Sequence, residues 1–259
     1  MKYEDFKLKV PKESPNYPLW SEYAINSINK IVQNAIDSGN NKIFIRTNLK
    51  TGLPMENINK VAGPFVEAWA YETFLEISND PKNPYRLVNV EAKERLYMAD
   101  VILVFKLKDK PEEYVNADVD VKATAEDIKE SGKSPNITSF ARIRTAYIED
   151  PDYLFIILSI KHKVYSTKNP ETKMFDGVME VKSFNAYDLK YISSPDISYN
   201  PALGTGQLQI RDIHYVDLEK RTVFDFCKLL DKKYLNSGRR TIESWHELAS
   251  KNGWIKEDA

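Results

Sequence analysis

The chain has 259 residues, 42% of them hydrophobic and 29% charged, which is typical of a globular protein with one large or two small domains. A formal net charge of −1 excludes a strongly basic protein that coats nucleic acid through overall charge, although basic groups can still line one cleft. The lone cysteine, Cys227, the lack of an apolar leader after Met1 and a longest apolar stretch of only Tyr153 to Ile160 predict a cytoplasmic protein without a membrane span.

The first third of the chain is predicted to hold two helices ahead of a sheet. Residues 1–19 contain three prolines and are predicted to form an extended arm. Pro64 lies in the first turn of a predicted helix, where proline is tolerated. Glu67 and Glu72 lie outside the apolar stripe of this helix. The predicted elements are a helix over 21–36, a short strand over 43–45, a loop over 46–59, a helix over 63–77 and a strand over 86–90.

A β-hairpin is predicted next. Val101 to Phe105 is a continuous apolar run of the kind found in strands buried on both faces. The segment 108–113 is charged and contains a proline, so it predicts a turn. The second strand, 114–123, then runs antiparallel to the first, and the position of the turn places Asp100 opposite Asp120.

The charges of this hairpin predict a metal site. Strand alternation puts Asp118, Asp120 and Lys122 on one face. Two close carboxylates in a buried sheet repel each other and favour a bound cation, and Mg²⁺ takes one or two carboxylates while keeping waters for a phosphate group. A neighbouring lysine can orient or deprotonate an attacking water and offset charge on a phosphoryl oxygen. The hairpin therefore predicts metal-assisted phosphodiester hydrolysis.

Other Asp/Glu-x-Lys triplets limit the weight of this pattern. It recurs at Glu91–Lys93, Asp127–Lys129, Glu180–Lys182 and Asp188–Lys190. Taken alone, each copy is more simply a solvated charge pair. The Asp120 copy alone follows an apolar strand that begins with an aspartate at hairpin distance. The second candidate is Glu180 with Lys182, which Asp176 precedes too closely for a full hairpin.

A loop, a helix and further strands are predicted after the hairpin. Residues 125–135 are predicted to form a mobile loop, and a helix over 136–148 is predicted to use Asn136 as its N-cap or as a DNA contact, two roles that are compatible. The cations near its start are Lys129, Lys133, Arg142 and Arg144. The later elements are strands over 153–165 (with His162 expected at the surface) and 178–192, a loop over 193–201, and helices over 221–234 and 241–253.

A strand predicted over 207–216 carries long polar side chains on one face. Gln207, Gln209 and Arg211 alternate there with residues of the other face. Glutamine can hydrogen-bond adenine and arginine can hydrogen-bond guanine, so this face suits the reading of base edges. The alternative is a solvated face of an edge strand, which composition alone favours.

Several segments resemble one enzyme family. Ala99-Asp100-Val101-Ile102-Leu103-Val104 and Val119-Asp120-Val121-Lys122-Ala123-Thr124 resemble the metal site of PD-(D/E)xK nucleases, and most closely that of type II restriction endonucleases of the HincII and HpaI group. Three further islands agree in order, at residues 62–65, 134–139 and 207–210. Ala99 replaces the proline of the general motif, a departure that the HincII-like enzymes share. The resemblance spans residues 60–250.

The resemblance implies roles for individual residues. Asp100, Asp120 and Val121 would bind Mg²⁺, for which Mn²⁺ can substitute, and Lys122 would be the catalytic lysine beside the two aspartates. Glu67 is preferred to Glu72 as an accessory carboxylate, with a solvated helix carboxylate as the more ordinary alternative. The implied DNA contacts are Lys133, Asn136, Thr138, Ser139, Arg142, Gln207, Gln209 and Arg211.

The resemblance also implies a fold and an activity. We expect a single endonuclease domain over residues 1–259, with an α/β restriction-endonuclease-like core in which helices flank a mixed central sheet. It would be a homodimer that cuts both strands of a short palindromic duplex, and a GTTAAC-like site with blunt ends and 5′-phosphate products is our hypothesis. A separate cognate methyltransferase is expected in the host. A repair or structure-specific nuclease on the same core, or an inactive DNA-binding module, is the alternative.

Overall fold

The computed structural model describes residues 2–52, 55–93, 97–107, 112–202 and 204–256, without side-chain detail for 55–57. The chain divides into two compact units, each with its own sheet and helices. We call one the small-sheet unit, which comprises Met1–Ser21, Lys133–Leu154 and Asp188–Ala259. The other is the large-sheet unit, which comprises Glu22–Gly132 and Phe155–Tyr187.

The strands are β1 (Lys42–Ile45), β2 (Leu87–Ala92), β3 (Val101–Lys106), β4 (Tyr114–Ala125), β5 (Asn136–Ser139), β6 (Leu154–Lys168), β7 (Phe175–Asp188), β8 (Ile197–Asn200) and β9 (Gln207–Ile210). The helices are α1 (Tyr17–Asp37), α2 (Met55–Lys60), α3 (Ala62–Asn79), α4 (Phe140–Glu149), α5 (Val223–Leu235) and α6 (Ile242–Lys251). Short 3₁₀ helices lie at Tyr3–Asp5, Leu189–Tyr191 and Ser194–Asp196.

A six-stranded sheet in the order β1-β7-β6-β4-β3-β2 organises the large-sheet unit. The apolar runs of β3, β4 and β6 supply the centre of its core, because bulky and β-branched side chains pack well on a pleated surface. Helix α3 covers part of the sheet with the buried side chains Val66, Trp69 and Phe74. A mixed sheet with flanking helices confirms the predicted α/β fold class.

The β3–β4 hairpin has the predicted register. Val101 pairs with Val119 at the end of this ladder, and Asp100 and Asp120 are the next residues of the two chains beyond that pair. The centre of the predicted turn, at residues 108–111, lies outside the described residues. Because this register carries the two aspartates, it sets the geometry of the site described below.

Burial differs from the prediction at two places in the large-sheet unit. Strand β3 is not buried on both faces, since Ile102 and Val104 are only half-buried while the alternate residues are buried. Antiparallel strands commonly have one face that is less thickly covered. His162 on β6 was expected at the surface but is only 2% exposed.

Element boundaries also differ from the prediction. The helix predicted from Asn136 begins at Phe140, because Asn136 and Ser139 pair with Gln209 and Gln207 as strand β5. Asn136 is therefore not an N-cap, and Ser139 holds that position. The predicted loops contain α2 and β8, and the predicted strands over 178–192 and 207–216 end at Asp188 and Ile210.

A three-stranded antiparallel sheet in the order β5-β9-β8 and an aromatic core organise the small-sheet unit. Phe140 stacks on Tyr234 with ring centroids 4.7 Å apart and meets Trp254 edge-on at 5.6 Å. Between β8 and β9 the chain turns at Gly206, whose φ is +91°. A Cβ there would lie 2.1 Å from the hydroxyl of Tyr199, so only glycine fits this turn.

The arm predicted over residues 1–19 is largely irregular but packs on the small-sheet unit. Tyr3 donates a hydrogen bond from its hydroxyl to Asp231 at 2.8 Å, and the N–H of Lys9 donates to the carbonyl of Trp254 at 2.8 Å. The carboxylate of Glu13 pairs with the buried ammonium of Lys190. The arm ends earlier than predicted, since α1 begins at Tyr17.

Candidate active site

Asp100 and Asp120 lie on neighbouring strands of the large-sheet unit. Asp100 immediately precedes β3, and its Oδ2 accepts a hydrogen bond from the N–H of Val121 at 2.7 Å. Its own N–H donates to the carbonyl of Val119 at 3.0 Å. The first bond holds the Asp100 carboxylate against the main chain next to Asp120, and the second ties the Asp100 main chain to the end of the β3–β4 ladder.

The charge of Asp120 is incompletely compensated. Its Oδ1 accepts a hydrogen bond from Lys122 Nζ at 2.8 Å, whereas its Oδ2 is buried and has no hydrogen-bond partner among the described residues. Burial raises the pKa of Asp120 to about 7; Lys122 opposes this rise, and Asp100 and Glu67 add to it. A buried carboxylate oxygen without a donor is rare and is a suitable position for a cation.

Glu67 is the third carboxylate within electrostatic reach. It is half-buried on α3, and burial raises its pKa; the charge of Asp100 adds to the rise and that of Lys122 opposes it. Burial also raises the pKa of Asp100 itself. Glu72, in contrast, is exposed and lines a cavity together with Trp69. The structure thus places Glu67 near the two aspartates, in line with the preference for it over Glu72.

The donor set fits a hard divalent ion. Two carboxylates satisfy the part that a protein usually contributes to Mg²⁺, whose other ligands are waters and substrate oxygens. The side chain of Val121 is apolar, so it can contribute only its main-chain carbonyl. Within the described residues, no three acidic, histidine or cysteine side chains come close enough to hold a metal on their own. The fit therefore rests on Asp100 and on Asp120, whose Oδ2 has no hydrogen-bond partner among the described residues.

The competing triplet predicted in β7 is not assembled with its aspartate. Glu180 pairs with Lys182 at 3.3 Å. Asp176 instead accepts hydrogen bonds from the N–H of Thr47 at 3.3 Å and from Asn169 Nδ2 at 2.9 Å. Those partners hold Asp176 as part of the loop structure around β7.

Glu91 and Lys93, which sequence reasoning treated as a background pair, lie beside the site. Ala92 pairs with Val101, and the N–H of Lys93 donates to the carbonyl of Asp100 at 3.0 Å. The hydrogen bond that Lys93 Nζ donates to Glu91 raises the pKa of Lys93, with a smaller contribution from the buried Asp118. A correct prediction of the pairing of β2 with β3 would have placed these two residues beside the site. A β-bulge near Leu87 makes that pairing hard to predict from the sequence.

Two of the predicted DNA contacts form a polar pair in the small-sheet unit. Asn136 on β5 lies opposite Gln209 on β9. Gln209 Nε2 donates hydrogen bonds to the carbonyl of Ser134 at 2.9 Å and to Asn136 Oδ1 at 3.1 Å. Ser134 has a φ of +47°, which is unusual for a residue with a side chain and often marks a functional loop.

The other predicted DNA contacts are placed differently from one another. Arg142 and Arg211 are exposed, and Gln207 and Ser139 are half-buried, with Ser139 Oγ 3.0 Å from Thr205 Oγ1. Lys133 forms an ion pair with Asp212. Two predictions are corrected: Thr138 is buried, and Arg144, expected among the cations at the helix start, is buried against Asp231.

A family profile and a sequence relative point to the same family. The profile of the type II restriction endonuclease HpaI family matches residues 4–253. The chain is 57% identical over 257 residues to the type II restriction enzyme HpaI of Haemophilus parainfluenzae, covering 99% of this chain and 100% of that protein. Among solved structures, the NlaIV restriction endonuclease aligns with a TM-score of 0.45 and 15% identity over 86% of this chain and 85% of that one.

The profile match and the curated relative place the chain in a class, the type II restriction endonucleases, which are deoxyribonucleases. Within this class it belongs to the HpaI family. The predicted family resemblance is thereby confirmed. No helix in the described part of the chain is long and apolar enough to cross a membrane.

Proposed function

We propose that this chain hydrolyses phosphodiester bonds in both strands of a short palindromic DNA duplex with the help of Mg²⁺. Asp100 and Asp120 would hold the ion, together with the main-chain carbonyl of Val121. The observation that carries the proposal is the buried Oδ2 of Asp120, which faces no donor among the described residues although Asp100 and Glu67 crowd its charge. Mn²⁺ offers the same ligand chemistry and would substitute.

The protein's own groups would prepare the attack of water. When bound, Mg²⁺ supplies positive charge at the phosphate and lowers the pKa of a ligated water. Asp120 Oδ1 holds Lys122 Nζ at 2.8 Å, which fixes the ammonium beside the carboxylates. From there Lys122 orients the attacking water and offsets charge on the phosphoryl oxygens. The water oxygen would form a bond to phosphorus as the P–O3′ bond breaks, the water would lose a proton and O3′ would take one up, and the products would carry 5′-phosphate and 3′-hydroxyl ends.

Glu67 would act as an accessory carboxylate. It is half-buried on α3, and its raised pKa reflects burial and the nearby charge of Asp100. In this position it would add negative charge that helps to hold the ion. The electrostatic coupling of Glu67 to both aspartates supports this role.

Gln209 of strand β9 and Asn136 of strand β5 would read adenine in the major groove. Gln209 uses its Nε2 to bind Ser134 and Asn136, a pairing that uses neither Gln209 Oε1 nor Asn136 Nδ2. An acceptor beside a donor is the complement of the adenine N6–H and N7 edge. This supports the hypothesis of an adenine-containing site such as GTTAAC, cut to blunt ends. Arg142, Arg211, Gln207, Ser139 and Lys133 would supply the remaining contacts.

We also propose an oligomeric state and a cellular context, both argued from the class of enzyme. A palindromic site is matched by a twofold protein, so a homodimer follows. The family profile spans 4–253 and thus both units, which supports one endonuclease domain over the chain. A separate methyltransferase would protect host DNA in the cytoplasm.

Digestion of phage DNA with Mg²⁺, followed by sequencing of the ends, tests the proposal. We expect discrete fragments with one common terminal sequence and 5′-phosphates. Lys122→Ala should reduce cleavage at least about 10²–10⁴-fold while leaving duplex binding intact. Random ends, or a cleavage rate that survives this substitution, would contradict the proposal, and the latter would direct attention to Glu180 and Lys182.

A further inference from the structure

A groove of about 560 Å³ opens beside the carboxylates in the large-sheet unit. Its described lining includes the acidic side chains Glu67 and Asp100, the aromatic side chains Tyr71 and Tyr97, and Lys93. Lys93 is the one lysine or arginine among these described lining residues. A strand of DNA that reaches Asp100 needs space of this kind for the nucleotide next to the cleaved bond.

Strand pairing places Lys93 opposite Asp100. The β2–β3 register pairs Ala92 with Val101, so the next pair is Lys93 with Asp100, as the 3.0 Å hydrogen bond between their main chains supports. Asp100 in turn interacts electrostatically with Asp120 and accepts a hydrogen bond from the N–H of Val121. Directly opposed residues of neighbouring strands project from the same face, with Cβ atoms about 4.5–5.5 Å apart.

Charge gives Lys93 a use opposite Asp100. The cluster contains the carboxylates of Asp100, Asp120 and Glu67, and among the described residues Lys122 is the one cation that hydrogen-bonds to any of them. A DNA phosphate that approaches through the groove meets mainly negative charge from these residues. A second cation on that side would lower the repulsion and fix the backbone.

The present partner of Lys93 can be exchanged. Its Nζ lies 2.7 Å from Glu91 Oε2, in a pair whose side chains are 28% and 47% exposed. Exposed pairs of this kind stabilise proteins little, and a lysine stem is flexible. Glu91 also accepts a hydrogen bond from Asn89 Nδ2 at 2.9 Å, which would hold it after Lys93 leaves.

We propose that Lys93 is a positioning residue that exchanges Glu91 for a phosphate of the DNA backbone adjacent to the cleaved bond. This role rests on the proposed function, because it takes the duplex to be the substrate. The exchange moves only an ion pair: the ammonium leaves one oxyanion for another, and no covalent bond changes. A lysine that binds ground state and transition state alike affects affinity more than the rate of chemistry.

Duplex binding by Lys93→Gln, measured over a series of salt concentrations in the uncleaving Lys122→Ala background, tests the proposal. We expect about tenfold weaker binding and a salt dependence less steep by about one unit per protomer, since one phosphate contact is lost. The matched control is Lys182→Gln, which breaks the same Glu-x-Lys arrangement on β7 and should change neither quantity. In the wild-type background, Lys93→Gln should raise KM and leave kcat nearly unchanged.

Glu91→Gln separates this role from a purely structural pair. If the pair only stabilises the sheet edge, Glu91→Gln and Lys93→Gln weaken binding equally, and the proposal fails. If Lys93 binds phosphate, Glu91→Gln leaves binding intact or tightens it, and Lys93→Arg restores the salt dependence. Lys93→Gln with an unchanged salt slope overturns this inference alone, whereas a Lys122→Ala protein that still cuts overturns the proposed function.

Discussion

Buried aspartates occur in both units, and their surroundings are opposite. In the small-sheet unit, Asp231 is fully buried, and both its oxygens accept hydrogen bonds, from Arg144 at 3.2 Å and from the hydroxyl of Tyr3 at 2.8 Å. In the large-sheet unit, Asp120 is 4% exposed, and one of its oxygens has no partner among the described residues. Both side chains are equally hidden from water, so burial alone does not separate them.

The two carboxylates differ in the charged and hydrogen-bonding groups that surround them. Arg144 lies against Asp231 with three of its contacts below 3.5 Å and stacks over Trp254, so the pair ties the arm to α4 and α5. Asp120 has one lysine and two neighbouring carboxylates. A buried carboxylate with both oxygens bonded is typical of a structural contact, whereas a crowded carboxylate with an unbonded oxygen is typical of a ligand-binding site.

Breaking the structural cluster should have the largest effect on stability. Asp231→Asn keeps the shape but leaves the Arg144 guanidinium buried opposite a neutral amide, and removing one member of a buried pair costs about 3–5 kcal/mol. We expect the free energy of unfolding in urea to fall by that amount at pH 7. A loss below about 1 kcal/mol would remove the contrast between the two aspartates.

The same substitution in the other unit should act in the opposite direction. Asp120→Asn removes a charge that Asp100 and Glu67 crowd, and we expect the metal-free protein to gain about 1–3 kcal/mol at pH 8. The folded pKa of about 7 exceeds the unfolded value, so wild-type stability is lost as pH rises through 7. The gain should therefore disappear near pH 5, where the folded carboxyl is protonated. A destabilised variant at pH 8 would mean that Asp120 is a structural residue.

The sequence could predict the central hairpin because its information is local. A charged segment with a proline predicted the turn, and the register expected from that turn is the observed one, with Val101 opposite Val119. Lys93 escaped prediction because the β2–β3 pairing contains a register shift, and one extra residue reverses which face each side chain takes.

The start of α4 could not be predicted for a related reason. Asn136 to Ser139 have a polar, cap-like composition that favours a helix start when read alone. Their strand conformation depends on pairing with Gln207 and Gln209, far along the chain. The local conformational preference of residues 136–139 carries no information about such a distant partner. The roles of the site residues stay predictions, since geometry brings Asp100, Asp120, Lys122 and Glu67 together without testing their chemistry.

His162 sharpens the comparison with the smallest expected effect. Like Asp120, it is buried in the large-sheet unit without a partner, since neither ring nitrogen has a hydrogen bond to the described residues. Burial lowers its pKa, so it stays neutral where the unfolded chain would bind a proton. Stability from this group is complete above the unfolded pKa of about 6.5 and is lost as pH falls towards the folded value.

Urea unfolding between pH 5 and pH 8 can isolate this contribution. His162→Phe keeps a ring in place and removes the proton site, so its stability should fall less than that of the wild-type protein as pH drops below 6.5. His162→Gln, which is polar but cannot titrate, should follow the phenylalanine variant in slope. Parallel curves for all three proteins would mean that His162 gains a partner in solution. Divergent curves would show that a missing hydrogen bond alone does not mark a functional site, and that the crowding of like charges around Asp120 is the feature that does.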